Sequence, residues 1–140
     1  MLKGISPILP PDLLKILMEM GHGDTLVIGD GNFPAASCDR RLVRCDGHTV
    51  CAVLEAILKL FPLDSIENQP VGVMQTADGT LPPVWAQFER IIAEQERPLP
   101  LHEIERFAFY EEAKKAYAIV STGETAQYAN IIIKKGVCKE

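Results

Sequence analysis

Apolar residues recur at helical spacing in four stretches of the chain and form short runs in five others. The first helical stripe, Leu13, Leu14, Leu17 and Met18, opens on Pro10-Pro11-Asp12 and closes at Gly21. Proline suits a first helical turn, an early Asp complements the helix dipole, and glycine ends the last turn. Val50, Val53, Leu54, Ile57, Leu58 and Phe61 make a second stripe between a Thr49 cap and Pro62. Val84, Phe88, Ile91 and Ile92 make a third, opened by Pro82-Pro83 and stopped by Pro98 and Pro100. A fourth helix is predicted over roughly 104–116.

The five short runs read as strands: 25–29, 42–45, 71–76, the segment AYAIVSTGE and the segment NIIIKKG. Helices and strands therefore alternate along most of the chain. This predicts an α/β fold with three α/β/α layers and a central mixed or parallel sheet, built as a single domain over residues 1–140.

Charge narrows the partners. The formal net charge of −5 runs against the Lys and Arg excess of a phosphate-backbone binder, so nucleic acid is not expected. The opening MLKGISPILPPDLL is broken by prolines and reads as no secretory signal, and no run reaches the length of a membrane helix. Cys38, Cys45, Cys51 and Cys138 lack CxxC spacing and are read as free thiols in a reducing cytoplasm.

Candidate chemistry concentrates in GHGDTLVIGDGNFP, from 21 to 34. The apolar run Leu26-Val27-Ile28 lies between two clusters that pair glycine with ionisable side chains, which sets His22 before the strand and Asp30 at its exit. An imidazole titrates near neutral pH, a helix C-terminus favours its cation, and Asp24 is placed to hold the ring. His22 is thus an acid/base candidate or a structural histidine. Asp30 stands where open α/β sheets bind ligands, or is an Asp in a glycine-flanked turn. Tyr128, Ala129 and Asn130 offer a phenol, a carbonyl and an amide, groups suited to a hydroxyl-rich ligand and equally at home in a surface loop. Arg106 is placed to reach such a hydroxyl or to pair with Glu103 or Glu105.

Several motifs are absent. The third glycine of GxGxxG would fall on Pro34, GK[ST] is missing, and His102-Glu103 lacks the second His of HExxH. No GxSxG elbow occurs, and no metal site or cofactor is expected. The residues alone point to a small-molecule site with a His, an Asp and polar groups near the chain's end.

The segments LKGISPILPPDLLKILMEMGHGD, DGNFPA, ERFAFYEEAKKAYAIVSTGE and YANIIIKKG resemble the fucose mutarotase and ribose pyranase family, more closely its fucose mutarotase branch. That resemblance implies a compact α/β/α fold, cofactor-free and metal-free interconversion of sugar anomers, and a ring-shaped homo-oligomer, commonly a decamer, with sites near subunit contacts. It also implies residue roles: His22 as proton donor, Asp30 as a substrate-binding carboxylate, and Tyr128, Ala129 and Asn130 as the sugar-binding YAN segment. Arg106 falls where the ribose branch carries a His, which favours L-fucose as the monosaccharide. D-ribose pyranase and a non-catalytic sugar-binding module are the alternatives. The base that takes the second proton is open between Tyr128 and a water.

Overall fold

The alternation of apolar runs and helical stripes becomes, in the computed structural model, a six-stranded sheet covered on both faces. Residues 1–38, 41–67 and 69–139 are described. Among them the elements run α1 (Pro11–Glu19), β1 (Thr25–Gly29), a 3₁₀ turn (Ala36–Cys38), β2 (Arg41–Cys45), α2 (Val50–Leu58), β3 (Val71–Met74), α3 (Pro83–Gln95), β4 (His102–Ile104), α4 (Arg106–Lys115), β5 (Ala118–Thr122) and β6 (Ile131–Lys134). The strand order is β2-β5-β1-β6-β3-β4. β2, β5 and β1 are mutually parallel, as are β3 and β4, and β6 runs antiparallel between the two groups. The sheet is therefore mixed.

Burial on both faces explains why the central strands read as unbroken apolar runs rather than as alternations. Leu26, Ile28, Ile131, Ile133, Ala118 and Val120 join the core under α1, α2 and α3. Val27, Ile119, Ile132 and Met74 belong to a second core with Phe109 and Ala113 of α4 and Phe33. These are the three expected layers. All four cysteines carry free thiols, and no helix among the described residues is long and apolar enough to cross a membrane.

Of the boundaries that differ from expectation, two do so for clear local reasons. The helix expected from 104 begins at Arg106, because Ile104 closes β4 against Met74 of β3 and Glu105 then caps the helix. The Glu105 carboxylate accepts from the backbone N–H groups of Phe107 (3.0 Å) and Ala108 (2.9 Å), which satisfies two of the donors left free at a helix start. The strand expected over 71–76 stops at Met74, beyond which the Gln75 N–H donates to the Ile104 carbonyl at 2.7 Å. Thr49 caps α2 as expected, its Oγ1 accepting from the Ala52 N–H at 3.1 Å.

Candidate active site

A cavity of about 310 Å³ opens where β1 and β3 end, lined by Asp30, Asn32, Phe33, Met74, Arg106, Tyr110, Gln127, Tyr128 and Asn130. It lies at the carboxyl ends of parallel strands, the usual ligand position in an open α/β sheet, and its volume suits a small ligand. Four of the expected residues, Asp30, Arg106, Tyr128 and Asn130, come together there although their positions span a hundred residues of sequence.

Past β1 the chain turns back, the Phe33 N–H donating to the Asp30 carbonyl, and Phe33 folds so closely over Gly29 that a Cβ there would stand 2.8 Å from the Phe33 Cβ. Phe33 is held in turn edge-on to Phe109 and against Tyr110. Asp30 is 6% exposed. Its backbone N–H donates to Asn130 Oδ1 at 2.8 Å, and its own Oδ1 accepts from the Asn32 N–H at 2.9 Å. Burial pushes the Asp30 carboxyl above the ordinary carboxylate range, opposed by hydrogen bonds from the backbone N–H groups of Asn32, Phe33 and Ala129 and from the Asn130 side chain.

Asn130 therefore has its amide orientation fixed: the oxygen is taken by Asp30, and Nδ2 faces Met74 Sδ at 3.9 Å. Ala129 is fully buried and does not line the cavity; its N–H points at Asp30 instead. Tyr128 adopts φ 59°, a left-handed conformation that costs a bulky residue of order 1–3 kcal/mol. It is held there from both ends. Its carbonyl accepts from the Trp85 indole N–H at 3.3 Å, and its hydroxyl accepts from the Ala77 N–H at 3.3 Å. Arg106 donates from Nε to the Tyr110 hydroxyl at 3.2 Å and lines the cavity. A larger cavity of about 560 Å³ adjoins the first and shares Gln127 and Tyr128 with it.

His22 stands elsewhere. It precedes β1 whereas Asp30 follows it, and five strand residues separate the two by roughly 17 Å at the usual rise. The turn carrying His22 is tied to the residue after β6: the Gly23 N–H donates to the Lys135 carbonyl and the Lys135 N–H to the Asp24 carbonyl, each at 2.8 Å. The Lys135 ammonium also closes the end of α1, donating to the carbonyls of Leu17 (2.7 Å) and Met20 (2.6 Å).

Asp24 does not hold the imidazole; its Oδ2 accepts from the Gly21 N–H at 2.7 Å. The carboxylate that meets the ring is Asp64, whose Oδ1 lies 3.2 Å from His22 Nε2. The sequence carries no local sign of this contact, since the partners are 42 positions apart. Tyr110 and Met74 were likewise read only as parts of a helix and a strand. Spacing on α4 was the available signal for Tyr110, one helical turn beyond Arg106. Among the described residues no three His, Cys, Asp or Glu side chains gather as metal ligands.

Residues 3–138 match the model of the RbsD / FucU transport protein family. A "Fucose mutarotase" of Homo sapiens is 46% identical over 144 residues, covering 97% of this chain and 94% of the relative. An "L-fucose mutarotase" of Histophilus somni is 49% identical over 140 residues, with 98% and 97% covered. Among solved structures, the fucose mutarotase of Streptococcus pneumoniae in complex with L-fucose superposes with a TM-score of 0.93 at 46% identity, covering 99% of this chain and all of that one. The Bacillus subtilis RbsD complexed with D-ribose shares the fold at a TM-score of 0.75 and 20% identity. With the matched span running nearly end to end and the sheet superposing throughout, this chain belongs to the RbsD/FucU family.

Proposed function

We propose that the protein is an L-fucose mutarotase, an isomerase that interconverts the α and β anomers of L-fucose, with the whole chain acting as one catalytic domain. The cavity carries the reading. It gathers a buried carboxylate, an oriented amide, a guanidinium and two phenols around a space of monosaccharide size. Such groups donate to and accept from sugar hydroxyls. The support from relatives is specific, since proteins 46–49% identical bear that name and a 46% identical structure contains L-fucose.

Ring opening requires a proton on the ring oxygen and removal of one from the anomeric hydroxyl. Rotation about the bond to the carbonyl carbon follows, and the two transfers then run backward onto the other face. Asp30, Arg106, Tyr128 and Asn130 hold the hydroxyls, with Ala129 fixing Asp30 from behind. The Tyr128 phenol or a water beside it takes the anomeric proton, and His22 donates to the ring oxygen. No electrons or groups leave the sugar, so the reaction needs no cofactor.

Because His22 lies at the far end of β1, the donor in each cavity belongs to a neighbouring copy of the chain. Two different surfaces then meet, a head-to-tail contact that closes into a ring; a decamer is the size proposed. Exposed apolar side chains occur at both ends of the contact, Ile66 (74%) two residues beyond Asp64 and Phe107 (66%) next to Arg106. The free thiols fit a cytoplasmic enzyme.

The test is NMR exchange between the α and β anomeric protons of L-fucose with and without protein, beside D-ribose under the same conditions. Faster fucose exchange that falls by about 10²- to 10⁴-fold in His22→Ala, the usual contribution of a general acid, is the expected result. Acceleration of ribose ring-form exchange alone would move the protein to the pyranase reaction. No acceleration of either sugar would leave a binding module.

A further inference from the structure

We propose that Asp64 is the positioning residue of the proton donor: it fixes the His22 ring through Nε2 and leaves Nδ1 as the nitrogen that exchanges protons with substrate. The inference rests on the donor role of His22.

The Asp64 side chain is 3% exposed and that of His22 is 42% exposed. A carboxylate withdrawn from water is costly unless its oxygens are hydrogen-bonded. Here the Ile66 N–H donates to Oδ1 at 3.1 Å, and the His22 ring faces the same oxygen at 3.2 Å. The Ile66 N–H, with further help from the His22 contact and the Glu67 N–H, holds the Asp64 carboxyl below the ordinary carboxylate range against the effect of burial. Asp64 is thus ionised near neutral pH.

An ionised carboxylate only accepts, so the nitrogen that faces it bears a hydrogen. The neutral ring is then protonated at Nε2, its Nδ1 lone pair is the free one, and the second proton enters and leaves at Nδ1. Asp64 thereby decides which face of the imidazole can act.

Both partners are mounted on the same support. Leu63 bridges to Lys135, and the Lys135 backbone exchanges hydrogen bonds with Gly23 and Asp24 on either side. The strap carrying Asp64 is fastened on its other side by the two residues just after α3. The Leu63 N–H donates to Glu96 Oε1 at 2.8 Å, and Arg97 Nη2 donates to the Asp64 carbonyl at 2.9 Å. The carboxylate is therefore held in place independently of the ring it orients. Nor does it brace the sugar cavity, which lies at the opposite end of β1.

Two measurements test this. In ¹⁵N-labelled wild-type protein at a pH where the ring is neutral, long-range ¹H–¹⁵N spectra report the tautomer directly, with the His22 signals assigned by their loss in His22→Ala. A single Nε2–H tautomer is expected, and an Nδ1–H ring would overturn the proposal without any Asp64 variant being made. Asp64→Asn keeps an oxygen for the Ile66 N–H but no longer fixes the tautomer. Its ring signals should become a mixture, and its maximal fucose exchange rate should fall about 10- to 10²-fold, less than the whole contribution of a general acid, with half-saturation unchanged.

Added to His22→Ala, Asp64→Asn should cost nothing further. A full additional loss in the double variant, or an unchanged rate in Asp64→Asn, would overturn the positioning role while leaving His22 as donor. Full activity in His22→Ala would remove both.

Discussion

Two inactive variants should rescue each other. His22→Ala removes the proposed donor before one end of β1, and Asp30→Asn removes the buried carboxylate just past the other. About 17 Å of strand separates the two positions, beyond the reach of any side chain, so one chain cannot bring them into one cavity. If each cavity takes its histidine from a neighbour through a head-to-tail contact, a mixed assembly contains contacts in which an intact donor meets an intact cavity.

With the variants combined at equal amounts and assembled at random, half of the donors and half of the cavities are intact, so about one site in four is complete. At a mole fraction x of one variant the complete fraction follows x(1−x). The curve is zero at both ends and highest in the middle. Since the donor variant alone is expected to lose about 10²- to 10⁴-fold, recovery to a quarter of wild-type activity stands well clear of background. The variants would be unfolded together in urea, refolded as a mixture, and assayed by saturation transfer between the anomeric protons of L-fucose. An activity that merely interpolates between the two pure variants, with no maximum, would refute the shared site.

Other outcomes follow from single contacts. Lys135→Met removes the ammonium that closes α1 on the Leu17 and Met20 carbonyls; hydrogen bonds from a charged donor are worth about 1.5–3 kcal/mol, and urea unfolding should show a loss of that order. An unchanged midpoint would discard that account of how the His22 turn is held. Gly123→Ala would drive a Cβ into the Asp46 carbonyl oxygen, whereas Gly47→Ala meets nothing within 4 Å. The first should destabilise by about 1–3 kcal/mol or more and the second should spare that clash, and equal melting temperatures would contradict the packing.

Asp30 gives a pH dependence of definite sign. Its carboxyl is raised by burial, so between the unfolded and native values the native state holds more protons and stability falls as pH rises. The unfolding midpoint of wild type relative to Asp30→Asn should therefore decline from about pH 4 upward and level off above the raised native value. A difference independent of pH would show that Asp30 is not destabilised by ionisation.

What the sequence made legible was what local pattern determines. Thr49 caps α2 because a threonine before an apolar helical stripe needs no distant partner to do so. The runs at Leu26 and Ile131 announced central strands through their unbroken apolarity. His102 to Ile104 gave no such notice. Three residues, two of them polar, form a strand only because β3 offers an edge to pair with. The distance between His22 and Asp30 was implicit in the length of β1, yet Asp64 was not implicit in anything near His22. That contact exists because Leu63 bridges to Lys135, a pairing between residues 72 positions apart. The neighbouring Asp24 was the natural local guess, and its carboxylate is taken instead by the N–H of Gly21, the residue just before His22.

The place of β6 in the sheet has a consequence for how the protein is made. Among the described residues it is the strand that links β2-β5-β1 to β3-β4, and it comes last of the six in chain order. On a ribosome the chain emerges from its N-terminus, so β6 leaves the exit tunnel after the five strands that precede it. The two halves of the sheet therefore have no strand between them until β6 has emerged. Their joining waits for β6, and a chain cut before Ile131 would carry two unmated sheet edges, at β1 and β3.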